Sequence, residues 1–130
     1  MCIRDRPSLK DGAVVLSDRY ADSTAAYQGV TLQGILPHPV FWIQEVFRPW
    51  NVVPDMTLLF LLDPELALKR LGSRPGKEKF ERLEFLRSVE ENFRSITSAE
   101  PERFVMIDAA QDEEAVARDA ARAVLDLLAR

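Results

Sequence analysis

Three short apolar runs, Ala13-Val14-Val15-Leu16, Thr57-Leu58-Leu59-Phe60-Leu61-Leu62 and Phe104-Val105-Met106-Ile107, constrain this chain more than any other feature. None alternates strictly between apolar and polar residues. Each therefore reads as a strand buried on both faces, the pattern of a parallel sheet covered by helices. Asp18, Asp63 and Asp108 follow the runs closely. Ligands of open parallel sheets gather beyond the carboxyl ends of the strands, so these acids mark the expected functional edge.

Helical signals fill the intervals. In Asp63-Pro64-Glu65 the Asp side chain can accept otherwise unpaired N–H groups, Pro presets φ at the first helical position, and Glu favours the positive end of the dipole. The helix opened there carries Lys69 and Arg70. From Lys79 onward, Phe80, Leu83, Leu86, Val89, Phe93 and Ile96 recur three or four residues apart, which predicts a long amphipathic helix. A last helix starts near Gln111-Asp112-Glu113-Glu114 and aligns Val116, Ala120, Val124, Leu127 and Leu128 on one face. Thr24 to Ile35 and Val40 to Phe47 predict two more, stopped by Pro37-His38-Pro39 and Pro49. Strand and helix alternate without a repeat or linker tract, so the chain is α/β.

The 130 residues are 47% hydrophobic and 29% charged, the composition of one globular domain. Seventeen Lys and Arg against 21 Asp and Glu give a net charge of −4, with no broad electrostatic attraction to nucleic acid or anionic membrane. Neither is an expected partner, and any bound anion needs a local basic cluster. Cys2 is the only cysteine, which excludes an intrachain disulfide and a Cys-based metal site. No apolar run approaches the roughly 18 to 20 residues of a membrane span, and the start lacks a signal-peptide core. A cytoplasmic location is expected.

The chemistry concentrates in Asp18-Arg19-Tyr20-Ala21-Asp22-Ser23-Thr24-Ala25-Ala26-Tyr27-Gln28, where acid, base, hydroxyl and amide groups directly follow an apolar run. Such groups are costly to bury unpaired and are expected to face a cleft. On a helix after Asp22, Ser23 and Tyr27, and Thr24 and Gln28, form i, i+4 pairs on adjacent parts of one face. Arg19 offers a planar fork suited to phosphate; Asp18 could hold the water shell of a magnesium ion or orient the Arg. A structural Asp18–Arg19 ion pair, with Ser23 as a helix cap, is the plainer alternative.

Asp18-Arg19-Tyr20, then Ser23, then Ala26-Tyr27-Gln28-Gly29, resembles the signature of the thymidylate kinases, P-loop nucleoside monophosphate kinases that phosphorylate dTMP with ATP. Pro54-Asp55-Met56-Thr57-Leu58-Leu59 is similar to the lead-in and fourth strand of that family, and Asp63-Pro64-Glu65 through Lys69-Arg70 to the helix after it. Phe80-Glu81, Glu84-Phe85-Leu86 and Val89 resemble the segment after its phosphate-covering lid. Ile107-Asp108-Ala109 and the Glu-rich helix after it resemble its C-terminal strand and helix. The resemblance runs from about Pro7 to the end.

It implies a three-layer α/β/α fold with a parallel sheet, and phosphoryl transfer from ATP to dTMP giving dTDP, with Mg2+ accompanying ATP. Arg19 would contact the acceptor phosphate and Asp18 would hold the metal through water. Thr24 and Gln28 would face the thymine. Tyr27 would face the sugar, where its ring excludes a ribose hydroxyl. Lys69, Arg70, Arg74, Lys77, Lys79 and Arg82 surround a break at Gly72, Pro75 and Gly76. A solvated loop is the plain reading of such a run; the family's mobile lid, here about residues 70–81, would make Arg70, Arg74 and Lys79 catalytic cations on ATP phosphates.

Three positions depart from the pattern. Glu78-Lys79-Phe80-Glu81 stands where many members have Asp-Arg-Phe-Glu, which keeps the charge but loses the bidentate fork. Phe93 stands where a Tyr often reaches the substrate. No Gly-x-x-x-x-Gly-Lys-Ser/Thr occurs in the 130 residues, so the nest and Lys that hold ATP phosphates in the family have no counterpart. The expectation is therefore the C-terminal part of such a kinase, residues 7–130, lacking the N-terminal strands, inactive alone, and preceded by a non-native start at 1–6. In the family's sheet the P-loop strand lies between the strands leading to Asp18 and Asp63, so the resemblance implies that the Ala13 and Thr57 runs lose a shared ladder partner.

His38, between two prolines, reads as a loop residue. Trp42 and Trp50 read as core or interface residues. In the family the helix after the Asp-Arg-Tyr segment contributes to a homodimer, which makes Phe41, Trp42, Val46 and Phe47 candidates for an apolar interface. The competing readings are a related nucleoside monophosphate or deoxynucleoside kinase with another base preference, and a non-catalytic nucleotide-binding remnant.

Overall fold

The computed structural model describes residues 2–72 and 77–130, and the side chains of 5–72 and 80–130. Contacts divide the chain into two units, Met1–Val53 with Ser88–Ile96, and Pro54–Arg87 with Thr97–Arg130.

The second unit holds the sheet. Strands β1 (Thr57–Leu61) and β2 (Phe104–Asp108) pair in parallel, from Thr57 opposite Phe104 to Leu61 opposite Asp108. The ladder continues beyond both ends: Thr57 N donates to Arg103 O at 2.8 Å and Ala109 N to Leu61 O at 2.8 Å. A parallel pair needs a long crossover, and here it contains helix α4 (Pro64–Arg70) and helix α5 (Lys77–Ala99). Asp63 starts α4 as its sequence predicts, accepting from Glu65 N at 2.9 Å and Leu66 N at 3.1 Å. Asp112 starts helix α6 (Glu113–Leu128) by accepting from Ala115 N at 2.9 Å.

Leu59, Leu68, Phe104, Ile107 and Ala115 form the core of this unit. Burial on both faces of the strands does not hold. Leu59 is buried while its register partner Met106 is 59% exposed, and Ile107 is buried while its partner Phe60 is 51% exposed. Each face of the two-stranded sheet is thus covered only in part by the helices of the unit. The α/β class and the parallel pairing stand.

The first unit is helical, with α1 (Cys2–Lys10), α2 (Ala21–Thr31), α3 (Pro39–Phe47) and residues 88–96 of α5. Ala25, Ala26, Ile43, Val89 and Ile96 are its buried apolar residues. A Cβ on Gly29 would lie 2.6 Å from Val40 Cγ2 and 3.1 Å from Asn92 Nδ2, so α2 and α3 meet where only glycine fits. Asn92 also donates through Nδ2 to Ala26 O at 2.9 Å, tying α5 to the middle of α2.

Three expectations are corrected here. Ala13–Leu16 is not a strand: Val14 is 59% and Leu16 83% exposed. A strand needs a ladder partner, and among the described residues this unit contains no other strand. Helix α2 starts at Ala21 and ends at Thr31, earlier at both ends than Thr24 to Ile35. Ser23 is not a cap, because the N-cap position is Tyr20 and Ser23 lies inside the first turn. Helix α1 carries Pro7 and has no counterpart among the predicted elements.

Candidate functional site

Arg19 sits at the bend between the apolar run and α2. Its φ is +62°, in the left-handed region that a non-glycine residue enters at a cost of about 1–3 kcal/mol and that clusters at functional sites. Ser17 Oγ donates to Arg19 O at 3.3 Å across the bend. The side chain is then fixed from two directions. Nε donates to Ser23 Oγ at 3.1 Å, and Cζ lies 4.8 Å from the centroid of the Tyr27 ring. Among the described residues the two Nη groups have no hydrogen-bond partner, so the outer edge of the fork remains for a ligand. The Arg is oriented by a hydroxyl and an aromatic face, not by Asp18: no ion pair joins Asp18 and Arg19, and Asp18 is exposed.

The helical spacing does what the sequence predicts. Arg19, Thr24, Tyr27 and Gln28 line one cleft of about 440 Å3, with Ser23 beside them. Asp18 is not part of its wall. Tyr20, Phe47 and Asn51 are, and the sequence reading missed them in this role. Phe47 had a signal only as an apolar residue of α3, and Asn51 had none. What brings the 48–53 segment to α2 is a hydrogen bond between residues 32 apart in sequence: Val52 N donates to Tyr20 Oη at 3.2 Å.

Arg70 belongs to the second unit. Its Nη1 donates to Ala109 O at 3.0 Å and its Nη2 to Ala110 O at 3.2 Å, so its fork holds the turn after β2. Asp108 shapes the same turn, accepting from Ala110 N at 2.9 Å through Oδ1. Gln111 Nε2 donates to Asp108 O and to Asp119 Oδ2, both at 3.1 Å. A second cleft, of about 400 Å3, lies between β2 and α6 with Asp108, Asp119 and Arg122 in its wall. Arg74 lies outside the described residues, as does the side chain of Lys79, and with them most of the expected lid at 70–81.

His38 is exposed with φ +52° at the N-cap position of α3, and its side chain makes no capping hydrogen bond. Phe41, Trp42, Val46 and Phe47 are exposed along α3. Among the described residues no group of three or more His, Cys, Asp or Glu is placed to hold a metal ion. No helix among them is long and apolar enough to cross a membrane.

Sequence comparison decides between the families such a cleft could serve. A family model described as thymidylate kinase matches residues 5–120. The chain belongs to the thymidylate kinase family. It is 46% identical over 125 residues to a probable thymidylate kinase of Methanosarcina acetivorans, covering 96% of this chain and 61% of that protein. With the probable thymidylate kinase of Methanoculleus marisnigri it shares 45% identity over 113 residues, 87% of this chain and 55% of the other. The corresponding protein of Natronomonas pharaonis is 44% identical over 125 residues, 96% of this chain and 62% of its own length. The chain therefore spans about three-fifths of the length of these thymidylate kinase relatives.

Proposed function

We propose that this chain supplies the acceptor-nucleotide cleft of a kinase that transfers the γ-phosphoryl group of ATP to dTMP, giving dTDP for pyrimidine deoxynucleotide synthesis in the cytoplasm. The observation that carries the reading is the convergence of Arg19, Thr24, Tyr27 and Gln28 on one cleft. The outer edge of the Arg19 guanidinium binds the 5′-phosphate in a charge-assisted, two-pronged contact. Ser23 and Tyr27 hold that guanidinium in place before the ligand arrives. Thr24 and Gln28 hydrogen-bond the thymine edge. The Tyr27 ring packs against the deoxyribose, where a 2′-hydroxyl would lose hydration without finding a partner.

Asp18, exposed and next to the phosphate-binding Arg19, would hold the magnesium ion of Mg·ATP through water. Magnesium keeps several of its waters and binds through one or two carboxylates plus phosphate, so a single acid fits and a three-carboxylate cluster is not required. When bound, the ion neutralises charge on the phosphoryl groups. Arg70, Arg74 and Lys79 are proposed as cations for the donor phosphates; Arg70 would have to exchange its two carbonyl partners for phosphate oxygens. These 130 residues contain no P-loop motif, and the proposal is that by themselves they bind dTMP without turning it over. The exposed Phe41 and Trp42 of α3 support a homodimer through that helix.

A titration of the chain with dTMP, dCMP and dAMP tests the reading. dTMP is expected to bind tightest, and Arg19→Ala to weaken it about 10- to 100-fold, the worth of hydrogen bonds to a charged group. Tighter binding of dCMP or dAMP would favour a related kinase with another base preference. ATP-dependent formation of dTDP by the chain alone would overturn the proposed inactivity.

A further inference from the structure

Asn51 is not among the residues of the thymidylate kinase signature, yet the structure sets it in the wall of the cleft. Its main chain is pinned on both sides. Asn51 N donates to Phe47 O at 3.0 Å, closing the turn after α3. The next amide, Val52 N, donates to Tyr20 Oη at 3.2 Å. Tyr20 is the N-cap residue of α2, the helix that carries Thr24, Tyr27 and Gln28. Asn51 is therefore fixed relative to those three residues by a bond that reaches across the cleft wall.

Its side chain is not used in the same way. The carboxamide is half-buried and hydrogen-bonds to no other described residue, although it offers two N–H donors and one acceptor. No described side-chain N or O is buried without a partner, so the Asn51 amide meets the solvent of the cleft, and a bound ligand can take the place of that water. Neighbouring chemistry limits what that ligand can be. Arg19 takes the anionic end of a ligand, and beside Phe47 and the Tyr27 ring the cleft offers a flat apolar surface. In the proposed function the ligand is dTMP, whose planar base carries carbonyl oxygens on its edge.

We infer that Asn51 is a specificity-determining residue that donates its amide N–H to a carbonyl oxygen on the base of a pyrimidine nucleoside monophosphate, with Tyr20 as the positioning residue that holds it. The inference rests on the proposed acceptor cleft. It adds a second carboxamide to Gln28, a contact that a sugar phosphate without a base lacks.

The test is a set of binding titrations on the full chain with dTMP, dCMP and 2-deoxyribose 5-phosphate, the last lacking any base. Asn51→Ala is expected to bind dTMP about tenfold more weakly, the worth of one hydrogen bond, and the sugar phosphate as the unchanged chain does. Asn51→Asp keeps size but exchanges the donor for an acceptor, and should weaken dTMP while sparing dCMP. Tyr20→Phe should weaken dTMP without affecting the sugar phosphate. Equal dTMP affinity in the unchanged chain and Asn51→Ala overturns the inference and leaves the acceptor cleft standing. Equal loss of all three ligands in every variant also overturns it, because it marks a structural role. Failure of the unchanged chain to bind either nucleotide or the sugar phosphate overturns the acceptor cleft and the inference together.

Discussion

The apolar runs before Asp18 and before Asp63 look alike in sequence and end differently in the structure. Thr57–Leu61 is a strand with a parallel partner, and the acid after it starts a helix by accepting two backbone N–H groups. Ala13–Leu16 has no strand partner among the described residues, exposes Leu16 to 83%, and leads to an acid without an ion pair and an Arg in the left-handed region. An apolar run specifies a strand only where a second strand is present to share its hydrogen bonds. The same contrast separates structural from functional use of polar groups. In the second unit Asp63, Arg70 and Asp108 spend their hydrogen bonds on the backbone. In the first, Arg19 keeps the outer edge of its fork unspent while Ser23 and Tyr27 hold it still.

The largest expected difference lies in the apolar side chains. Leu59→Ala should lower the unfolding free energy by about 2–5 kcal/mol, the range for a buried leucine, whereas Leu16→Ala should stay within about 0.5 kcal/mol. Urea denaturation of the two variants measures both, and a similar loss at each site would mean that the first run has a partner after all. The acids give a smaller contrast: Asp63→Ala should cost about 1 kcal/mol for the lost cap, and Asp18→Ala less than about 0.5 kcal/mol. A stability loss on removing Asp18 equal to that for Asp63 would make Asp18 structural. Smallest is the exposed pair of Arg87 and Glu65, 2.7 Å apart with each side chain more than half exposed. Glu65→Gln should change stability by no more than about 0.5 kcal/mol, and added salt should erase the difference.

The cleft was legible in sequence to the extent that it lies on one helix. Thr24, Tyr27 and Gln28 face the same cleft because i, i+3 and i+4 positions do so on any α-helix, and Arg19 joins them from the bend just before it. Ser23 was readable as a polar residue but not as the acceptor for Arg19 Nε, which depends on the left-handed turn between them. Phe47 and Asn51 come from another helix and the turn after it. Their place in the wall follows from a bond between Tyr20 and Val52, and no pattern of neighbouring residues announces such a bond.

By itself the sequence determined the helix starts at Asp63 and Asp112, the long amphipathic stripe of α5, the α/β class and the family. These depend on interactions within one or two turns, or on residues in a fixed order along the chain. The tertiary structure alone decided that Ala13–Leu16 is not a strand, that each sheet face is covered only in part, that Arg70 holds the Ala109 and Ala110 carbonyls, and that Asn51 enters the cleft. Each of these is settled by whether a partner far away along the chain is present, because a hydrogen bond or a buried surface exists only once both of its sides have been brought together.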